Sequence, residues 1–255
     1  MHPKTKLQLL SNFIEKRNHR RGTVANLEMI RYAEKSITDK IKFPVKNVLY
    51  VGIGHGLDAI LNILDQKYEN VYGVDPFIET DGNGDEDYGA LLDLIRSLDL
   101  NNNISIFRET IQDFLLQNNS IKFDLVIFKD SLHHIFVTKD SLNRSDLKVN
   151  YDNLVEKLHS LINVDGNVLI VEVSRFNLRR VAKKLGLYKT IMDYDTKQQP
   201  RQWIEPYLNL GWQVHSFNDY IPYKLRFLNK YKKLSKIFFP RYSFGEVYSV
   251  LLKKR

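Results

Sequence analysis

Short apolar runs alternate with longer amphipathic stretches along most of this chain. From residue 47 onward the apolar runs fall at 47–51, 70–74, 104–107, 123–128 and 167–173. Between them lie stretches whose apolar residues recur at helical spacing, at 57–66, 91–98 and 150–162. Strands that alternate with helices favour a parallel sheet. The run 167–173 is apolar up to Glu172, which is typical of a strand buried on both faces.

The two ends of the chain depart from this alternation. The first 44 residues predict two helices, whose apolar stripes are Leu7, Leu10, Phe13 and Ile14, and Leu27, Ile30, Ala33, Ile37 and Ile41. We interpret the basic stretch 16–22 between them as a linker that ends at Gly22. Near the other end, the pattern predicts a helix over 202–210, a strand over 212–217 and a last strand over 244–252.

A glycine-rich turn follows the first strand of the predicted sheet. It contains Gly52, Gly54 and Gly56, which lack a Cβ, so the backbone can turn sharply and a ligand can approach it closely. The helix predicted over 57–66 begins there, and the free N–H groups at its start attract electron-rich ligand atoms. Asp75 ends the second strand, at a distance along the chain where a carboxylate accepts hydrogen bonds from ribose hydroxyls. These features predict a nucleotide site.

The spacing of the glycines distinguishes between nucleotides. A dinucleotide fingerprint has its third glycine at position 57, where this chain has Leu57. The pattern Gly52-x-Gly54-x-Gly56 instead resembles motif I of the class I S-adenosylmethionine (SAM) methyltransferases. Two terminal strands without an ordinary crossover helix resemble the antiparallel hairpin that ends the sheet of these enzymes. The resemblance covers about residues 45–175 and 200–255.

The resemblance implies a fold class and a domain organisation. The fold is α/β, with a Rossmann-like, doubly wound, mostly parallel seven-stranded sheet that ends in an antiparallel hairpin. Residues 1–44 are predicted to form an N-terminal helical cap, and 45–255 a SAM-binding methyltransferase domain. Two insertions, at 176–199 and 218–241, fall outside the family pattern, in places where such enzymes usually carry substrate specificity.

The resemblance also implies a set of cofactor contacts. Gly52, Gly54 and Gly56 would approach the methionine and ribose parts of SAM, and Asp75 would hold the ribose hydroxyls. The family usually has an acidic residue two places before the first glycine, where this chain has Tyr50, a side chain without charge near neutral pH. After the third strand, the candidates for the adenine contact are Glu109, Thr110 and Asp113, with Ile111 between them, and the register is open.

The fourth strand leads into Lys129-Asp130-Ser131-Leu132-His133-His134, which resembles the motif IV loop of small-molecule methyltransferases. Open parallel sheets bind ligands at the carboxyl ends of their strands, so Asp130 and Ser131 are expected beside the sulfonium. Histidine, with a pKa of about 6.5, is a suitable base for a hydroxyl or amine. Neighbouring residues on a helix point about 100° apart, so we expect His133 and His134 not to face one point, and we favour His134 as the base. In the alternative interpretation, one histidine packs inside and the other is solvated.

A metal site is the alternative to this interpretation. Asp130, His133, His134 and Glu172 are residue types that bind metals, but the spacing of a metal site is missing, and we predict no metal. Glu172 is expected to pair with a nearby arginine, with a contact to substrate as the alternative. Arg175, Arg179 and Arg180 are candidates for binding a carboxylate or phosphate, or they form a solvated helix face. The acidic stretch 81–87 has its glycines at the wrong offset for a calcium loop and is interpreted as a solvated loop.

The net charge of +8 is concentrated near the end of the chain. The segment 219–241 holds Lys224, Arg226, Lys230, Lys232, Lys233, Lys236 and Arg241 against the single Asp219. Within it, 222–240 predicts a basic amphipathic helix that packs on the core, docks peripherally on a membrane surface or contacts nucleic acid. The near-neutral remainder makes nucleic acid the less favoured partner. The chain has no cysteine, which excludes disulfides and thiolate catalysis, and no run of about 18 apolar residues.

The sequence therefore predicts a cytoplasmic SAM-dependent methyltransferase, with contact to the inner membrane surface through 222–240 left open. We expect it to transfer the methyl group to an oxygen or nitrogen of a small-molecule acceptor, and the basic helix suggests an anionic, sugar-linked or lipid-linked one. Two alternatives stay open. One is an RNA methyltransferase, and the other is a catalytically degenerate fold that serves as a binding or scaffold subunit, for which Tyr50 is the main argument. The sequence gives no indication of the oligomeric state.

Overall fold

The computed structural model describes residues 3–21, 26–38, 40–78, 84–118, 120–136, 144–173, 183–186, 199–220 and 247–255. The helices are α1 (Pro3–Arg21), α2 (Leu27–Thr38), α3 (Leu57–Leu64), α4 (Asp85–Ser97), α5 (Ile111–Gln117), α6 (Leu132–Phe136), α7 (Arg144–Leu161) and α8 (Pro200–Asn209). The strands are β1 (Val45–Val51), β2 (Tyr68–Val74), β3 (Ile104–Phe107), β4 (Phe123–Lys129), β5 (Ile162–Val173), β6 (Gln213–Tyr220) and β7 (Val247–Lys253).

The seven strands form one sheet in the order β3-β2-β1-β4-β5-β7-β6. β2 pairs in parallel with β1 and β3, and β4 pairs in parallel with β5. β7 is antiparallel to both β5 and β6. The predicted Rossmann-like sheet, mostly parallel and ending in an antiparallel hairpin, is confirmed. The chain divides into two compact units, Met1–Asn118 and Asn119–Arg255, which are described separately.

In the first unit, the two N-terminal helices pack against α3, the helix that follows the glycine turn. Between α2 and α3, the buried side chain of Asn62 donates a hydrogen bond of 3.0 Å to Glu34 Oε2. At the surface, Arg31 pairs with Asp65 at 2.8 Å. The helix that follows the glycine turn is therefore held by contacts with both N-terminal helices. The boundary predicted at residue 44 stays a prediction.

In the second unit, α7 packs on both α8 and β5. Tyr151 of α7 donates a hydrogen bond of 2.8 Å to the Trp203 carbonyl, and the two rings meet edge to face with centroids 5.0 Å apart. α8 also contacts both strands of the terminal hairpin. The hairpin is thus held against the helical layer of its own unit by buried aromatic side chains.

Several of the predicted boundaries are wrong. α7 begins at Arg144, six residues before the predicted start at 150. The basic stretch 16–21 continues α1 to Arg21 instead of forming a linker, because lysine and arginine are good helix formers. β5 begins at Ile162, five residues before the predicted start, and its register with β4 shifts between Phe123 and Leu125. Asp165, with a φ of 64°, lies within this irregular start, so the apolar pattern alone identified only the regular part of the strand.

Most of the two predicted insertions lies outside the described residues. Of 176–199, the structure describes 183–186 and residue 199, and of 218–241 it describes the end of β6 up to Tyr220. The predicted basic helix 222–240 falls outside the described part of the chain, as do Arg175, Arg179 and Arg180 and the start of the predicted strand 244–252. Among the helices that the structure does describe, none is long and apolar enough to cross a membrane.

Candidate functional site

The glycine turn after β1 adopts a backbone that glycine accommodates without strain. Gly52, Gly54 and Gly56 have φ angles of 76°, 51° and 60°, in the left-handed region that disfavours residues with a Cβ. Gly52 N–H donates to the Val74 carbonyl at 2.8 Å, which ties the turn to the end of β2. The structure therefore places the three predicted glycines in one tight turn immediately before α3.

The carboxylate of Asp75 holds this turn from the end of β2. Its Oδ2 accepts a hydrogen bond from Gly54 N–H at 2.9 Å, and its Oδ1 accepts one from Phe77 N–H at 2.8 Å. The Asp75 N–H donates to the Phe107 carbonyl at 3.1 Å, which joins the end of β3 to the same region. An ionised carboxylate has about four lone-pair positions, so a side chain of this type can hold a backbone turn and also accept hydrogen bonds from ligand hydroxyls.

Gly73 on β2 lies against the turn, a contact that the sequence pattern did not predict. A Cβ at Gly73 would lie 2.5 Å from Ile53 Cδ1 and 2.9 Å from Ile106 Cδ1. Ile53 stands between the first two glycines of the turn, and its buried side chain lies over the bare backbone of Gly73. The missing side chain on β2 therefore provides the space in which the turn is seated.

His55, inside the turn, reaches an acidic residue at the start of α4. Its Nδ1 lies 3.5 Å from Asp87 Oδ1, and both side chains are almost buried. Interpreting the whole stretch 81–87 as a solvated loop is wrong for Asp87, which is 5% exposed. Residues 85–87 form the first turn of α4, where negative side chains are favoured by the helix dipole, whereas 81–83 lie outside the described residues.

The candidates for the adenine contact lie at the start of α5. Thr110 is the N-cap of this helix, and its Oγ1 accepts from Asp113 N–H at 3.2 Å and donates to Asp113 Oδ2 at 2.6 Å. Glu109 Oε2 accepts from Gln117 Nε2 at 3.0 Å, and Ile111 is buried. Thr110 and Asp113 thus have a capping role, and the adenine contact itself stays a prediction for all of these positions.

Tyr50 occupies the position where the family usually has an acidic residue. The ring is buried and meets the ring of Tyr68 edge to face, with centroids 6.3 Å apart. Burial is the main cause that raises the pKa of Tyr50 well above its usual value, and the charges of Asp58 and Glu34 add to it. The Tyr50 hydroxyl is therefore neutral, and the Tyr50 ring is part of the core of the first unit.

In the second unit, the end of β4 turns sharply at Asp130. This residue has a φ of 51° and donates its N–H to the Val171 carbonyl at 2.8 Å. The Asp130 side chain is exposed, whereas Ser131 is buried. Within the described part of the chain, Ser131 Oγ has no hydrogen-bond partner. The two residues predicted to lie beside the sulfonium therefore differ in exposure.

Glu172, near the end of β5, is fully buried and binds the start of α6. Its Oε1 accepts from Leu132 N–H at 2.7 Å, and its Oε2 lies 2.7 Å from His133 Nδ1. Among the described residues, a backbone amide and a histidine contact the two oxygens. The expected arginine partner stays a prediction, because Arg175, Arg179 and Arg180 lie outside the described residues. A strand-end carboxylate and the loop after the neighbouring parallel strand lie at the same edge of a sheet, so this contact follows from the β4–β5 pairing.

The two histidines of α6 are in contact with each other. Their ring centroids are 4.1 Å apart with an angle of 42° between the planes. His133 is buried beside Glu172, and His134 is exposed. One ring is thus buried and the other exposed, as in the alternative interpretation of the sequence. Rotation about the side-chain bonds still brings the two rings into contact although their Cα–Cβ bonds point apart.

Tyr248 is the register partner of Glu172 on β7 and is fully buried. Burial first, and then the negative charges of Glu172 and Asp130, raise the pKa of Tyr248 well above its usual value. This part of the second unit thus combines the carboxylate of Glu172, the contacting imidazoles of His133 and His134, and the neutral phenol of Tyr248. Among the described residues, no group of three or more histidine, cysteine, aspartate or glutamate side chains is arranged to hold a metal ion.

Comparisons with known proteins agree on the fold. No protein-family model matches the sequence, and no curated protein matches it. Several solved structures are similar in fold. A putative SAM-dependent methyltransferase from Listeria monocytogenes has a TM-score of 0.57 at 13% identity, with 89% of this chain and 98% of that chain covered. The cyclopropane synthase MmaA2 from Mycobacterium tuberculosis has a TM-score of 0.55 at 12% identity, with 88% and 84% covered.

A geranyl diphosphate methyltransferase in complex with SAM has a TM-score of 0.53 at 10% identity, and the alignment covers 89% of this chain and 85% of that one. At these identities the similarity concerns the fold. It agrees with the strand order and with the glycine turn that ends β1. This chain has the fold of the class I SAM-dependent methyltransferases.

Proposed function

We propose that this protein is a SAM-dependent methyltransferase that acts on an oxygen or nitrogen atom of a small-molecule acceptor. The observation that carries the proposal is the turn Gly52–Gly56, whose three glycines have positive φ and whose middle amide is held by the buried carboxylate of Asp75. On this fold, such a turn combines close backbone approach with a carboxylate suited to vicinal hydroxyls. Packing alone does not require both features.

The residues of the first unit fit the chemistry of SAM. The bare turn at Gly52 and Gly54 suits the methionine and ribose parts, and the Asp75 carboxylate that holds the turn is a suitable acceptor for the ribose hydroxyls. Glu109, Thr110 and Ile111 are proposed for the adenine side, because they follow β3, whose end is bonded to Asp75 N–H. When bound, SAM supplies an electrophilic methyl group. Tyr50, Asp130 and Ser131 stay predictions as cofactor contacts.

We assign the role of base for the acceptor to His134, because its ring is exposed, whereas the Nδ1 of His133 is in contact with Glu172. Glu172 holds the His133 ring, and the His133 ring in turn contacts the His134 ring. His134 would accept the proton of the acceptor hydroxyl or amine, and the electron pair on that oxygen or nitrogen would form the new bond to the methyl carbon while the carbon–sulfur bond breaks, with its electron pair left on the sulfur of S-adenosylhomocysteine. General bases contribute about 100- to 10,000-fold to such steps.

A turnover assay tests this function. The purified protein is incubated with SAM and a pooled set of small hydroxyl and amine compounds, and S-adenosylhomocysteine (SAH) is quantified. We expect SAH to accumulate with the wild-type protein and to fall about 100-fold or more in His134→Asn at unchanged SAH affinity. Turnover with bulk RNA in place of the pool would favour the RNA-methylating alternative. SAM binding without turnover on either would favour the scaffold alternative.

The class of acceptor is proposed from charge. The basic segment 222–240 suggests an anionic, sugar-linked or lipid-linked acceptor, or peripheral contact with a membrane. Co-sedimentation with anionic liposomes, compared between the wild-type protein and a variant lacking 222–240, tests the membrane contact. We expect the deletion to reduce the bound fraction, and equal binding of the two proteins would contradict this contact.

A further inference from the structure

The two non-glycine residues of the cofactor turn are anchored on different partners. Ile53 packs over Gly73 on β2, so that even one additional carbon there would clash with it. His55 pairs instead with Asp87 on α4, with 3.5 Å between Nδ1 and Oδ1. Only 12% of the His55 side chain and 7% of the Asp87 side chain are exposed. A polar contact that is largely shielded from water is weakened less by solvent than one at the surface.

α4 contacts the turn at a second point on the same helical face. A Cβ at Gly56 would lie 3.0 Å from Leu91 Cδ1. Leu91 follows Asp87 by four residues, so the two side chains lie one above the other on α4, and both are buried. One face of α4 therefore packs along the turn, with a polar contact at His55 and an apolar contact at Gly56.

The turn needs such anchors because of its composition. Glycine loses more conformational freedom on ordering than any other residue, and here three glycines alternate with two side chains. A ligand that binds an unfixed turn must offset this entropy, whereas a turn fixed beforehand binds at lower cost. The hydrogen bond from Gly54 N–H to the Asp75 carboxylate fixes the middle of the turn, and the contact with Asp87 fixes His55, the next residue.

We propose that His55 and Asp87 are positioning residues that set the affinity for SAM by holding the Gly54–Gly56 part of the turn in its binding shape. This inference rests on the proposed function, because it concerns the same cofactor site. It assigns α4 a role in binding that the glycine motif itself does not contain. The pair acts through the backbone of the turn and has no part in methyl transfer.

Calorimetric titration with SAH tests the proposal on the full-length protein. We expect His55→Ala and Asp87→Ala each to weaken SAH binding about tenfold, which corresponds to ~1.4 kcal/mol. The double variant should bind no more weakly than either single variant, since the two residues act as one unit. Asp87→Asn keeps an oxygen that can accept from His55 and should recover part of the affinity. This variant also keeps the test decisive if Asp87→Ala fails to fold.

The matched control is Asp93→Ala. Asp93 lies on the same helix, is exposed and pairs with Arg96 at 2.9 Å, so its removal changes the charge of α4 without touching the turn. We expect it to bind SAH as the wild-type protein does. A folded His55→Ala variant with wild-type affinity, or losses that simply add in the double variant, would overturn the inference alone. Absence of SAH binding by the wild-type protein would overturn both the inference and the proposed function.

Discussion

Glu172 and His133 form a buried contact of 2.7 Å between Oε2 and Nδ1, at the edge where β5 ends and α6 begins. The second oxygen of Glu172 accepts the Leu132 amide, so one carboxylate fixes both the start of the helix and the first imidazole on it. The ring of His134 contacts that imidazole, and His134 is exposed. A single side chain on β5 thus holds Leu132 and His133 directly, and His133 in turn contacts His134.

This arrangement predicts a graded effect of substitutions at the three positions. His134→Asn should lower kcat by about 100-fold or more, because the base is lost. Glu172→Gln and His133→Asn should lower kcat less, because they release the ring that holds His134 without removing it. KM for SAM should stay unchanged in all three. The measurement is steady-state kinetics of SAH production, with melting curves to establish that each variant is folded.

The result that would contradict the assignment is specific. If His133→Asn abolishes turnover and His134→Asn retains it, the buried histidine is the base and the exposed one is dispensable. If all three variants retain turnover, the second unit supplies no base, and the acceptor must be nucleophilic without deprotonation.

His159 predicts a pH dependence of stability. Burial, and secondarily the charge of Lys254, lower the pKa of His159 below its usual 6.5. Its Nδ1 accepts a hydrogen bond of 2.8 Å from Trp212 Nε1, which requires an unprotonated nitrogen. The unfolded chain therefore binds this proton at a higher pH than the folded protein does. The free energy of unfolding should fall as the pH drops below about 6.5 and level off below the folded pKa.

Urea unfolding at several pH values, followed by Trp fluorescence, checks this. His159→Asn offers Oδ1 to Trp212 and does not titrate, so it should lose the acid-sensitive component in this window. His215→Asn on β6, where the histidine is exposed, is the matched control and should keep the wild-type pH profile. An unchanged profile in His159→Asn would show that other groups cause the acid sensitivity.

Gly73 predicts a substitution that links stability to binding. Gly73→Ala places a carbon 2.5 Å from Ile53 Cδ1, so Ile53 must move and the turn with it. We expect a loss of about 1–3 kcal/mol in stability together with weaker SAH binding. Gly89→Ala is the control, because its Cβ meets nothing within 4 Å and it lies inside α4, where alanine should stabilise by about 0.5–1 kcal/mol. SAH affinity should be unchanged in Gly89→Ala, and wild-type affinity in Gly73→Ala would contradict the role of Ile53.

The sequence predicted those parts of the molecule that depend on local pattern. The apolar runs identified the seven strands that the structure describes, because buried strands, above all parallel ones, are rich in apolar residues. The glycine spacing and Asp75 identified the turn and the carboxylate that holds it. Local pattern was less informative at Lys16–Arg21, where good helix formers read as a linker, and at the irregular start of β5.

Contacts between distant segments could not be predicted in the same way. His55 and Asp87 carry no sequence motif, and their pairing depends on how α4 packs on the turn. The contact of Glu172 with α6 likewise depends on the register of β4 and β5, which places its carboxylate beside His133. Gly73 matters only because Ile53 lies over it, which a strand pattern does not reveal.

Calorimetric titration of the full-length protein with SAH, beside Asp75→Ala, tests the central claim most directly. We expect the wild-type protein to bind one SAH per chain. We expect Asp75→Ala to lose binding, because Asp75 holds Gly54 and, in the proposed site, binds the ribose hydroxyls. Absence of binding at millimolar SAH, or equal affinity in a folded Asp75→Ala variant, would contradict the assignment of the glycine turn as a SAM site.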